Sequence, residues 1–83
     1  MDGQGLTNER QRRQAAEAIE QGIQHQGNDE NDRAIECFTE AIRLNPQCVK
    51  AYHLRGQIYN RTGEWAKAER DVAKARRVEA GRQ

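Results

Sequence analysis

At 83 residues the chain has room for one small domain, since ordinary domains hold about 100–150 residues, and a second independent fold is excluded. Its 14 Lys+Arg against 13 Asp+Glu leave a formal charge of +1, so no global charge argument for nucleic acid exists. No apolar run approaches the ~18–20 residues that span a bilayer, and two cysteines, Cys37 and Cys48, are too few for a disulfide scaffold.

Large core-forming side chains are scarce, Leu, Ile, Val and Phe together numbering 12. Low net charge and a single Pro argue against an unfolded chain, and abundant Ala with Glu, Gln and Arg points instead to closely packed helices. Residues 1–6 are expected to be disordered, and the polar stretch from Met1 to Arg13 lacks the apolar segment of a signal peptide. Thr7 is placed to cap a first helix running to about Gln26, with Gly27 marking its end. Asn28 or Asp29 then caps a second helix, in which Ala34, Ile35, Phe38, Ala41 and Ile42 share one stripe; Asn45-Pro46 ends it. A third helix carries Ala51, Tyr52, Ile58 and Tyr59. Thr62-Gly63 separates it from a fourth over roughly 64–78, and residues 81–83 are expected to be disordered. Strands find no support in the spacing.

The chain also matches itself. An offset of 34 residues places Gly22 on Gly56, Glu30 on Glu64, Ala34 on Ala68, Ala41 on Ala75 and Arg43 on Arg77, with Phe38 on Val72 and Leu44 on Val78 as conservative pairs. Small residues recur where two helices must approach closely, so the chain is two copies of one helical hairpin. Ile19 and Ile23 leave the phase of the first helix open. The ungapped offset turns both away from the intra-repeat contact, whereas a two-residue shift with a larger loop over 27–32 buries them.

With Ala34 to Pro46 reading AIECFTEAIRLNP and Ala51 to Tyr59 reading AYHLRGQIY, the chain resembles the tetratricopeptide repeat (TPR) family over about residues 15–80. Gly22, Phe38 and Pro46 in the first unit, and Tyr52, Gly56, Tyr59 and Gly63 in the second, carry the likeness. It departs at Ala18, where a bulky residue is usual, at His25 in place of an aromatic, and at Ala80 in place of the terminating Pro. The resemblance implies an all-α fold of two tandem helix-turn-helix units forming a short right-handed solenoid. The domain spans 7–80, with repeat one over about 15–48 and repeat two over about 49–80.

No residue pattern suggests chemistry. His25, Cys37, Cys48 and His53 have no metal-ligand spacing, no CxxC occurs, and the glycines fit no phosphate-binding loop, so neither catalysis nor a cofactor or metal is expected. Reduced thiols and the lack of a targeting signal suggest an intracellular, cytoplasmic setting.

What the resemblance implies is an adaptor or scaffold that binds a peptide or helix of a partner, or a second copy of itself, in a concave groove. Carried over by position, that groove is Ala16, Ile19, Glu20, Ile23 and Gln26 in the first unit and Lys50, His53, Leu54, Gln57 and Arg61 in the second. Leu54 stands where a carboxylate-gripping groove has arginine, which argues against an acidic C-terminal tail as ligand. Ile19, Ile23 and Leu54 instead suggest an apolar strip. Two repeats where about three are usual suggest that a partner or a homodimer covers what is left exposed. Basic clusters at Arg10 to Arg13 and Lys74 to Arg82 raise an alternative, a module binding RNA or an anionic surface; no aromatics are interleaved with those cations, which weighs against nucleic acid.

Overall fold

A computed structural model describes residues 8–81 and shows four α-helices in sequence: α1 (Glu9–Gly27), α2 (Asn31–Leu44), α3 (Val49–Arg61) and α4 (Trp65–Gly81). The first packs on the second, the third on the fourth, and α2 on α3, so two helical hairpins stack in chain order. Thr7 and the expected disordered ends 1–6 and 82–83 lie outside the described residues. The fourth helix runs on through Gly81, into the tail expected to be disordered.

Asn8 caps α1. Its side chain accepts the backbone N–H of Gln11 at 2.7 Å, while the Gln11 side chain accepts the Asn8 N–H at 3.3 Å, a reciprocal capping box. The expectation that Asn28 or Asp29 caps α2 is corrected, because both finish α1 instead. Asp29 adopts φ 60, Glu30 N–H donates to His25 C=O at 2.9 Å and Asp29 N–H to Gln26 C=O at 3.1 Å. This is a left-handed helix stop in which the freed carbonyls of the last turn are satisfied. Repeat two builds the same stop 34 residues on, with Gly63 at φ 85, Glu64 N–H on Tyr59 C=O at 2.8 Å and Gly63 N–H on Asn60 C=O at 3.3 Å. The α2 N-cap is Glu30, which makes no side-chain capping bond.

The core is small and alanine-rich. Ala15, Ala18, Ile19, Ala34, Phe38, Ala41, Ala51 and Ile58 form one buried cluster, with Ile35, Ile42, Leu44, Cys48 and Leu54 packed around it. Phe38 and Ile58 are its largest fully buried side chains. Tyr52 closes the α2–α3 connection by donating its hydroxyl to the Pro46 carbonyl at 3.0 Å, and burial pushes its phenol pKa up.

Gly22 settles the phase of α1. A Cβ built there would collide with Phe38 Cε1, so the α1 backbone rests directly on the ring, as Gly56 rests against Asp71 and Val72 one repeat later. The ungapped offset therefore describes the structure. The same contact separates two substitutions in sign. Replacing either glycine gains up to about 1 kcal/mol of helix propensity. At Gly56 the added methyl meets Asp71 Cβ at an ordinary 3.4 Å, so Gly56→Ala is expected to stabilise modestly. Gly22→Ala drives the methyl into a buried ring and is expected to lose about 1–3 kcal/mol, read as a lower urea midpoint.

Candidate functional site

The residues assigned to a groove from the sequence divide into three sets. Ile19 is 5% exposed and belongs to the core cluster, so its place on an open surface is corrected. It joins the cluster to which α3 contributes Ala51 and Ile58. Leu54 is half-buried against that cluster and Gln26 is half-buried as well. The remaining residues are exposed: Ala16, Glu20 and Ile23 on α1, and Lys50, His53, Gln57 and Arg61 on α3. Ile23, one turn beyond Ile19, is 39% exposed.

Among the described residues, shallow grooves border α3 on two sides. One, of about 540 Å³, brings Lys50, His53 and Leu54 together with Asn45, Cys48 and Glu79. The other, of about 580 Å³, lies on the α3–α4 face, where His53, Gln57 and Asn60 oppose Trp65, Val72 and Arg76. Neither includes an α1 residue, so these grooves do not unite the two halves of the expected site. Arg61 reaches back to repeat one, its guanidinium donating to Asn31 Oδ1 at 3.5 Å.

Trp65 escaped the sequence reading. It begins α4, is 68% exposed, and stands where repeat one has Asn31. Its available signal was that mismatch across the offset, an aromatic at a position whose copy is polar. Asp71 escaped too, although it lies three residues after Ala68 and four before Ala75, in the middle of the buried stripe of α4.

Asp71 is held by Arg55. The guanidinium donates through Nε at 2.9 Å and Nη2 at 2.8 Å to the two carboxylate oxygens, and through Nη1 to Thr39 Oγ1 at 3.1 Å. Its central carbon lies 6.0 and 5.8 Å from the ring centroids of Tyr52 and Tyr59. The hydrogen bonds from Asp71 push the Arg55 pKa still higher than usual. This node spans α2, α3 and α4, and its donors and acceptors are engaged with each other.

Across the first turn His25 Nδ1 lies 2.6 Å from Glu30 Oε1, and that hydrogen bond holds the Glu30 carboxyl below its usual range. Burial pushes the half-buried Cys37 thiol up, away from thiolate chemistry. Cys37 and Cys48 are both free. Among the described residues no three His, Cys, Asp or Glu side chains gather to hold a metal ion, and no helix is long and apolar enough to cross a membrane. The arrangement offers surface for contact, with two large hydrophobics, Ile23 and Trp65, left exposed among the described residues.

Comparison with known proteins matches residues 19–81 to a family model described as tetratricopeptide repeat. The match opens at the buried Ile19 and closes with the last described residue of α4. A search of curated proteins finds no significant match.

Proposed function

The chain belongs to the tetratricopeptide repeat family, and on that premise we propose that it is a non-catalytic adaptor that binds a peptide or helix of a partner protein along the surface bordering α3. Such repeats generally mediate protein–protein contacts. The observation that carries the reading is the exposure of Ile23 on α1 at 39% and of Trp65 at 68%, Trp65 standing with His53, Gln57 and Asn60 of α3 in one groove, in a chain whose other large apolar side chains are enclosed or half-enclosed among the described residues. Lys50, His53, Gln57 and Arg61 supply a polar rim, and Ala16 and Glu20 extend the contact along α1. Leu54 lines one groove from its half-buried position. A second copy of the chain is one such partner, and two free thiols suit a reducing, cytoplasmic compartment.

The surface still open on Ile23 and Trp65 is worth on the order of 1–2 kcal/mol each on burial, and a carboxylate forced into the same contact costs more than that. Ile23→Asp is therefore expected to weaken partner capture more than tenfold, while its urea midpoint moves little because the position is already open to solvent. The check is parallel capture with wild type, Ile23→Asp and Trp65→Ala, each confirmed folded by circular dichroism. Capture unchanged by both substitutions overturns the reading.

The alternative, an RNA or anionic-surface binder, draws on the basic clusters Arg10, Arg12 and Arg13 on α1 and Lys74, Arg76 and Arg77 on α4. No aromatic side chain is interleaved with them for bases to stack on. Affinity falling steeply with added salt would favour this alternative, since releasing counterions is its driving force.

A further inference from the structure

Position-by-position comparison of the two repeats reveals a second pattern, independent of what the groove binds. At the junction between repeats, α3 contributes Cys48, Ala51, Leu54 and Ile58 to the core, Ala51 and Ile58 with no exposed surface. One repeat earlier the same four positions on α1 are Gln14, Glu17, Glu20 and Gln24, all exposed. In the same cluster repeat one contributes Ile19, with Ile35 and Ile42 packed against it, and Ile23 follows one turn after Ile19 on α1. One repeat later these positions are His53, Glu69, Arg76 and Gln57, again all exposed.

The positions that hold each hairpin together do not change in this way. Ala34 and Ala68, Ala41 and Ala75, Phe38 and Val72, and Gly22 and Gly56 stay small or apolar in both copies. Polarity is thus switched at all eight of these junction positions; elsewhere across the offset it changes at Cys37, whose copy is the ion-paired Asp71, and at Asn31, whose copy is Trp65.

We infer that both end faces of this stack are sealed against a further repeat, whether a second copy of this chain or any like hairpin, and that partners approach from the side, along α3. End-on stacking would bury Glu17, Glu20, Glu69 and Arg76. Burying a charge costs more than it returns unless a well-made pair awaits it, and even a buried pair does little better than an apolar contact of similar shape. The apolar area that joins the two repeats within the chain has no counterpart at either end. Trp65, at the margin of the α3–α4 face, is the exception, and its surroundings of His53, Gln57 and Arg76 are solvated.

Sedimentation of the full chain from micromolar to sub-millimolar concentration tests this. The expected result is no end-on association, and in the simplest case one species of 9.5 kDa throughout. A variant restoring the junction chemistry, His53→Ile with Gln57→Ile, Glu69→Ile and Arg76→Ile, is expected to self-associate, its average mass rising about twofold or more at the upper concentrations. Where that variant fails to fold by circular dichroism, Glu69→Ile with Arg76→Ile takes its place. A folded restored variant that stays monomeric overturns the inference. So does a wild-type chain that associates and loses the association on Gln57→Arg with Glu69→Arg. Association that survives this block but is lost on Glu17→Arg with Gln24→Arg overturns the inference as well, whereas association that survives both blocks lies on another surface and supports sealed ends.

Discussion

Asp71→Ala is expected to lower the unfolding free energy by about 3–5 kcal/mol, the range seen when one partner of a buried ion pair is removed. The Arg55 side chain is 18% exposed and that of Asp71 6%, so deleting the carboxylate leaves a guanidinium largely cut off from water, with only Thr39 and two tyrosine rings around it. No accessible pH relieves this, because Arg55 would release its proton only above its already raised pKa. The double variant Arg55→Met with Asp71→Leu is expected to return to within about 1 kcal/mol of wild type, since an apolar pair of similar volume avoids desolvating two charges. Urea denaturation of the two single variants and the double closes the cycle. A loss below about 1 kcal/mol in Asp71→Ala would mean that the pair behaves as a solvated surface contact and fastens nothing.

This node was hidden in the sequence for a physical reason. A stripe of buried helix positions is recognised by apolar side chains, and Asp71 occupies such a position with a carboxylate whose partner, Arg55, is 16 residues away on another helix. Four helices and their pairing were legible because the 34-residue offset repeats small residues at fixed places, and Gly22 on Phe38 shows what those small residues are for. Helix ends were less legible. Asn28 and Asp29 are good caps in composition, but Gly27 is followed by a left-handed stop, and the chain uses Asp29 to end α1. The site was legible as a face and only partly as residues. Ile19 and Ile23 lie one turn apart and look alike in the sequence, yet the first is enclosed in the core cluster and the other stays open. Trp65, the most exposed of the large hydrophobics described, breaks no helical pattern, and so periodicity has no means of finding it.

Phe38→Ala is expected to be at least as damaging, about 3–5 kcal/mol, because the ring is fully buried and bears on the backbone of α1 at Gly22. A small helical domain holds only about 5 kcal/mol in reserve, so this variant is expected to be substantially unfolded at room temperature, seen as lost ellipticity and a non-cooperative melt. The cost divides into lost transfer energy and an unfilled void, and the void lies where an added methyl at Gly22 would go. Gly22→Ala and Phe38→Ala should therefore be strongly non-additive, since the methyl that collides with the ring in the single variant occupies the emptied space in the double. Because Phe38→Ala alone is poorly folded, Phe38→Leu serves as the measurable second corner, and Gly22→Ala with Phe38→Leu is expected to be more stable than the sum of the singles by about 1 kcal/mol or more. Repeat two already contains the relaxed version of this contact, Gly56 over Val72, where the nearest Val72 atom to a built Cβ is 3.8 Å away. Additive losses in the Gly22 and Phe38 variants would show that the two act independently, and that the close approach of α1 to α2 is set by something other than the glycine–ring contact.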